Sequence, residues 1–364
     1  MKRMPVLAVA GLLSASMALT ACGSDDDSGG SDGGGGEGAS VGKVGVILPD
    51  TESSARWVSA DPPALKKAFE EAGVEATIEN AQGDSSRMTG IADSMISSGV
   101  TVLAIVNLDN ESGAAIQEKA ESQGVATIDY DRLTLGGSAS YYVSYDNAKV
   151  GELQGEGLQK CLGKDSKSNI VYLNGSPDDS NATLFSTGAH NVLDENSNYN
   201  VVAEQAVPAW DPTEATKIFE QMWTQTGGKI DGVLAANDAL GGSAISILQK
   251  NGVAGKIPVT GQDATVQGLQ AILTGDQCMT VYKSATQEAN ALADVAIAMA
   301  NGEEPETNGT SEDTEGDREV PSILLDPLAI TKDNVNEVVK DGAVDAADLC
   351  KGFEKECKQA GISF

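Results

Sequence analysis

From Val41 onward the chain alternates short β-rich runs with amphipathic helical stretches, and this rhythm restricts the fold more than any other feature. Strands are expected at Val44–Leu48, Ala76–Glu79, Val102–Val106, Ala126–Asp129 and Tyr141–Tyr145, then at Asn169–Leu173, Val201–Ala206, Gly232–Ala235, Pro258–Gly261 and Met279–Lys283. Most are continuously apolar, so their sheets should be covered on both faces. Between them Leu65, Ala68, Phe69 and Ala72 share one helical face, as do Met88, Ile91 and Met95, and Ile218, Phe219, Met222 and Trp223. Strand, helix, strand repeated this way implies parallel sheets with right-handed crossovers, and ten strands suggest two of them. The expected class is α/β with two doubly wound parallel-sheet lobes. A break is expected after Tyr145, where Asp146-Asn147 starts a helix running to Leu162.

The N-terminus sets the compartment. Lys2 and Arg3 precede an apolar run from Pro5 to Leu19, too short for a permanent span of about 20 residues and ending in small residues. Residues 1–21 read as an export signal. Leu19-Thr20-Ala21-Cys22-Gly23 resembles the lipobox of bacterial lipoproteins, so Cys22 is the expected lipidation site and the protein is expected on the outer face of the cell membrane. Residues 22–41 carry Asp25, Asp26 and Asp27 and then Gly33 to Gly36, the composition of a flexible acidic tether.

The chain beyond residue 21 is too long for one ordinary core and suits two domains. A net charge of −30 disfavours nucleic acid and anionic membrane as partners and leaves a neutral or cationic small ligand. Besides Cys22 there are Cys161, Cys278, Cys350 and Cys357, and export permits disulfides. Cys350 and Cys357 are candidates to clip the C-terminal helical segment; the partners of Cys161 and Cys278 stay open. No convincing zinc spacing occurs and His190 is the single histidine, so no metal and no cofactor are expected. Glu303–Glu319 reads as a solvated acidic surface loop.

Ligands of open parallel sheets bind beyond the carboxyl ends of strands, so the residues there are the informative ones. They are Arg56 and Trp57; Asp131 and Arg132; Gly175, Asp178, Asp179 and Asn181; Trp210; Asn237 and Asp238; Asp263; and Lys283. A sugar ring offers two apolar C–H faces and a belt of hydroxyls. Indoles cover such faces, carboxylates accept from hydroxyls, and Arg, Lys and Asn donate to them. Taken singly, Asp131 or Asp263 reads equally well as a helix cap. Trp223 lies in an apolar helical stripe and is expected in the core, whereas Trp57 and Trp210 do not.

At these residues the chain resembles the periplasmic-binding-protein type I family, specifically sugar-binding proteins of ABC importers of the xylose-binding and multiple-sugar-binding kind. The likeness is carried by Ser53-Ser54-Ala55-Arg56-Trp57, Asp129-Tyr130-Asp131-Arg132 and Gly175-Ser176-Pro177-Asp178-Asp179. It continues through Ala236-Asn237-Asp238-Ala239, Gly261-Gln262-Asp263-Ala264 and Thr280-Val281-Tyr282-Lys283. It implies two similar lobes joined by a three-segment hinge, with residues 42–145 and 284–324 in the N-terminal lobe and 146–283 and 325–364 in the C-terminal lobe. The resemblance also implies that Trp57 and Trp210 sandwich a monosaccharide while Arg56, Asp131, Arg132, Asp179, Asn181, Asn237, Asp263 and Lys283 bond its hydroxyls and ring oxygen. D-xylose leads as ligand, with glucose, galactose and arabinose next. The implied partners are ABC transporter permease subunits, with the membrane reached through the lipid anchor only and the protein a monomer. Ser186 and the Leu108-Asp109-Asn110 segment depart from the family pattern, and the Cys350–Cys357 tail looks like an addition. The competing classes are a sugar sensor presenting its ligand to a membrane receptor and a secreted glycoside hydrolase, which needs paired carboxylates. No phosphate-cradling loop or Gly-x-Ser-x-Gly elbow is present, and no catalytic residue is expected.

Overall fold

The computed structural model describes residues 42–364. The export signal, Cys22 and the tether lie outside the described residues. Among those described, no helix is long and apolar enough to cross a membrane.

Among the described residues twelve strands form three sheets. β1 (Lys43–Leu48), β2 (Ala76–Asn80), β3 (Val100–Ile105), β4 (Ala126–Tyr130) and β5 (Tyr141–Tyr145) belong to a seven-stranded sheet. β6 (Ser168–Asn174), β7 (Tyr199–Ala206) and β8 (Gly232–Ala235) form a three-stranded parallel sheet. β9 (Thr280–Tyr282) pairs antiparallel with β12 (Leu328–Ile330), while β10 (Gly309–Asp313) and β11 (Arg318–Leu325) complete the large sheet in the order β10-β11-β5-β4-β3-β1-β2.

The continuous apolar strands behave as period-two side-chain alternation requires. Val44, Val46 and Leu48 of β1 join Val102 and Ala104 of β3 in one apolar cluster. Ile47, Leu103 and Ile105 point the other way and pack with Met88, Ile91 and Met95 of the helix Ser85–Ser97. The smaller sheet repeats this: Val171 and Leu173 of β6 face one cluster, Ile170 and Tyr172 another. Both sheets are therefore covered on two faces, which gives a two-lobed α/β protein. The helix expected after Tyr145 forms as Asn147–Leu162, its first turn capped by Asp146 accepting from Lys149 N at 2.9 Å.

Several expectations fail. Pro258–Gly261 does not form a strand; it contributes a single bridge, Val259 to Val233. Beyond that bridge the Thr260 hydroxyl, not its backbone, engages both the N–H and the C=O of Ala235, which ends the ladder. The Met279–Lys283 strand shrinks to Thr280–Tyr282 and runs antiparallel to its partner. Nor is Glu303–Glu319 a solvated loop: β10 and β11 form a hairpin arm that extends the large sheet. Its alternating polar sequence suits an edge strand with one wet face, and Asp313, fully buried, accepts from Gly136 N and Gly316 N and pairs with Arg318.

Disulfides join Cys161 to Cys278 and Cys350 to Cys357. The first ties the helix that opens the smaller lobe to the chain before β9. The second sits in a cluster with Leu269, Ile272, Val338 and Ile362, so the C-terminal tail packs on the helix Val266–Thr274. Trp223 packs half-buried on the small-sheet cluster.

Candidate functional site

The loops after β1, β4, β6, β7, β8 and β9 meet between the two lobes around one shared space. All ten residues that the resemblance implies as sugar contacts line it. From the large-sheet side come Arg56, Trp57, Asp131 and Arg132. From the small-sheet side come Asp179, Asn181, Trp210 and Asn237, with Asp263 and Lys283 beside them. Asp178 is exposed and does not reach the space, and Asp238, though buried, faces away from it.

Each indole has its back to the core of its own lobe. Trp57 is 3% exposed and belongs to the apolar cluster of the large sheet, whereas Trp210 is 4% exposed and belongs to that of the small one. The rings are thus anchored in different cores and share one cavity. Trp57 Nε1 donates to Ser53 Oγ at 3.1 Å, and Trp210 Nε1 donates to Asp179 Oδ2 at 3.1 Å, which fixes both ring orientations. Phe185 meets Trp210 edge-on, with ring centroids 6.4 Å apart.

Backbone strain concentrates at this place. Asp131, Ala209, Trp210, Asp263 and Ala264 adopt positive φ without being glycine, a conformation costing of order 1–3 kcal/mol per residue that persists only where the surroundings enforce it. Neither Asp131 nor Asp263 caps a helix; the helix after Asp263 is capped by Thr265. Helix capping therefore does not account for either carboxylate. Asp179 and Asn237 do cap helices, accepting from Asn181 N and Leu240 N, and line the cavity as well.

The charges form a dense network. The Arg56 guanidinium binds Asp61 through Nε and Nη2 (both 2.7 Å), Glu288 through Nη2 (2.5 Å) and Asp131 through Nη1 (2.8 Å). Four of its five N–H groups are thereby occupied, so it keeps one for a ligand. Burial opposes the charge on Asp131, but Lys283, Arg56 and Arg132 outweigh it and bring the carboxyl down to about 2. Burial pushes Asp179 up, against the pull of Arg132, and drives Glu288 upward too. The cavity thus presents donors and acceptors side by side with two indoles, an arrangement suited to a small neutral polyhydroxylated molecule.

Contacts also run directly between the lobes. Ser54 Oγ donates to Asp263 Oδ2 (2.8 Å), Asn237 Nδ2 to Ser53 O (3.2 Å) and Asn181 Nδ2 to Asp131 O (2.7 Å). The structure is a closed form.

The model described as "Periplasmic binding protein domain" matches residues 44–304. The chain belongs to the periplasmic binding protein family. It is 36% identical over 304 residues to the D-xylose-binding periplasmic protein of Escherichia coli (strain K12), covering 82% of this chain and 90% of that one. It is 32% identical over 332 residues to the multiple sugar-binding periplasmic receptor of Rhizobium radiobacter, covering 86% and 93%. Its fold matches a carbohydrate transporter solute binding protein from Chloroflexus aurantiacus, solved in complex with D-glucose, with a TM-score of 0.76 and 26% identity over 84% of this chain and 97% of that one.

Sequence reasoning missed four lining residues of this binding protein: Ser53, Ser54, Phe185 and Gln262. Ser53, Ser54 and Gln262 stand inside stretches that carry the family likeness, but hydroxyls and amides have no pattern that separates them from ordinary turns. Phe185 lies on the cavity side of the helix Ser180–Leu193, next to the departing Ser186, which does not line the cavity. Leu108 and Asp109 sit farther out, at the mouth of the cleft. Asp61 and Glu288, which hold Arg56, were likewise invisible, since Glu288 is 232 residues away from its partner.

Proposed function

We propose that this protein captures a monosaccharide between its lobes outside the cytoplasmic membrane and delivers it to the permease of an ABC importer, without transforming it. D-xylose is the leading ligand, followed by glucose, galactose and arabinose. The observation that carries the reading is the convergence of two indoles and eight polar or charged residues, from both lobes, on one shared space. The relatives are named as binders of xylose and of multiple sugars, which agrees with the chemistry of the lining.

The contacts that seal the cleft come from both sides, so a ligand touching both lobes stabilises the closed arrangement over an open one. On this reading the lobes comprise residues 42–145 with 284–324 and residues 146–283 with 325–364, the ten lining residues expected from the sequence contact the sugar, and the monomer is tethered by lipid at Cys22. Thermal unfolding with a panel of aldoses tests the ligand: D-xylose should raise the melting temperature, and a panel with no stabilising member would overturn the assignment. Turnover of aryl glycosides would instead show a hydrolase.

A further inference from the structure

Gln262 is 3% exposed and lines the cavity beside Asn237 and Asp263. Its Nε2 faces Ala236 O at 3.4 Å, while its Oε1 is buried without a hydrogen-bond partner among the described residues. Turning the amide over would set two acceptors against each other, so electrostatics fixes this orientation. The side chain is not needed to satisfy the backbone either, because Ala236 O already accepts from Gln154 Nε2 at 3.0 Å. A buried acceptor with no donor is destabilising, and such groups are uncommon in folded proteins unless something binds them.

We propose that Gln262 is a specificity-determining residue whose Oε1 accepts a hydrogen bond from one particular hydroxyl of the bound polyol. The inference rests on the sugar-binding reading above. An amide accepts without adding charge, in a cavity where Asp131, Asp179 and Asp263 already supply carboxylates. It therefore registers the presence of a hydroxyl donor at one ring position, and a sugar lacking that hydroxyl leaves Oε1 stranded.

The test compares Gln262→Leu with the wild-type protein by calorimetry on D-xylose, D-glucose, xylitol and the deoxy-D-xyloses that each lack one hydroxyl. The substitution should weaken D-xylose at least about tenfold and leave one deoxy sugar unaffected. The ligand-free variant should melt no lower than wild type, since it loses an unpaired buried acceptor. An equal loss on every sugar or no loss on D-xylose would overturn the proposal. Gln262→Met, which keeps the length without a strong acceptor, gives the same readout if the leucine variant does not fold. Wild-type protein that binds none of these probes would sink the sugar reading itself, whereas normal wild-type binding with an unaffected variant would sink only the role of Gln262.

Discussion

Arg132 Nε lies 3.0 Å from Asp179 Oδ2, an ion pair that joins the loop after β4 in one lobe to the loop after β6 in the other. Both side chains are more than nine-tenths buried. The same carboxylate accepts from Trp210 Nε1 and from Asn181 N, so the pair links lobe closure to the position of an indole. Arg132→Ala leaves the buried Asp179 carboxylate without its cation and should weaken binding of the proposed sugar by about 2–5 kcal/mol. The ligand-free variant should also have a larger radius of gyration by small-angle scattering. Unchanged affinity together with an unchanged radius would show that the pair does not couple closure to binding.

Trp210 is held by a glycine as much as by its hydrogen bond. A Cβ on Gly175 would stand 2.1 Å from Trp210 Cη2 and 2.2 Å from Cζ2, closer than atoms can approach. Gly175→Ala should therefore displace the ring and reduce sugar affinity as much as Trp210→Ala, by at least about 1 kcal/mol. Both are measured by calorimetry. Full affinity in Gly175→Ala with lost affinity in Trp210→Ala would mean that the ring has another stable seat.

The strand ends were legible because parallel α/β sheets confine ligand chemistry to one edge, and the charged residues recurring there stand out against apolar strands. That is why Asp131, Asp179, Asp263 and Lys283 can be picked out with no knowledge of distances. The hidden part is the one that long-range contact decides. Asp61 and Glu288 are ordinary helix residues until Arg56 is placed between them. The β10–β11 arm is hidden for a different reason: its polar alternation is also the pattern of a solvated loop, and only the free edge of β5 turns it into a strand. Pro258–Gly261 errs in the opposite direction, since an apolar run is necessary for a buried strand without being sufficient.

The two disulfides should differ in weight. Cys161 and Cys278 are 117 residues apart, and Cys350 and Cys357 only 7. Loop-closure entropy alone assigns about 5 kcal/mol to the long loop and about 2.5 kcal/mol to the short one. Replacing Cys161 and Cys278 by serine should thus lower the denaturation midpoint more than replacing Cys350 and Cys357. The reverse order would place the stabilisation in the native packing of the C-terminal tail.

Cys22→Ser tests the anchor. If Cys22 carries the proposed lipid, the variant should leave the membrane fraction and appear in the soluble one, detected by immunoblot after fractionation. Retention in the membrane would exclude lipidation at this residue.

Asp238 and Asp263 set a cost that the site imposes on stability. Asp238 is buried under four donors: Gln277 Nε2 and Thr280 Oγ1 on Oδ1, and Thr265 N and Thr265 Oγ1 on Oδ2. Burial first, and the neighbouring Asp263 charge second, push its carboxyl up to about 7. An acid raised in the folded state binds more protons there than in the unfolded chain between about pH 4 and about 7, so stability falls as pH rises through that window. Asp263→Asn removes the like charge and lowers the folded value of Asp238. The variant should therefore be more stable than wild type at pH 8, should show little difference at pH 4.5, and should bind sugar more weakly because it loses a carboxylate acceptor. Asp129, also raised to about 7 chiefly by burial, is held in its own network of Thr134 and Gln117, so part of the pH slope should persist. Denaturant titrations from pH 4 to pH 8.5 distinguish the outcomes: a gain of equal size at both ends would show that repulsion between the two carboxylates is not its source.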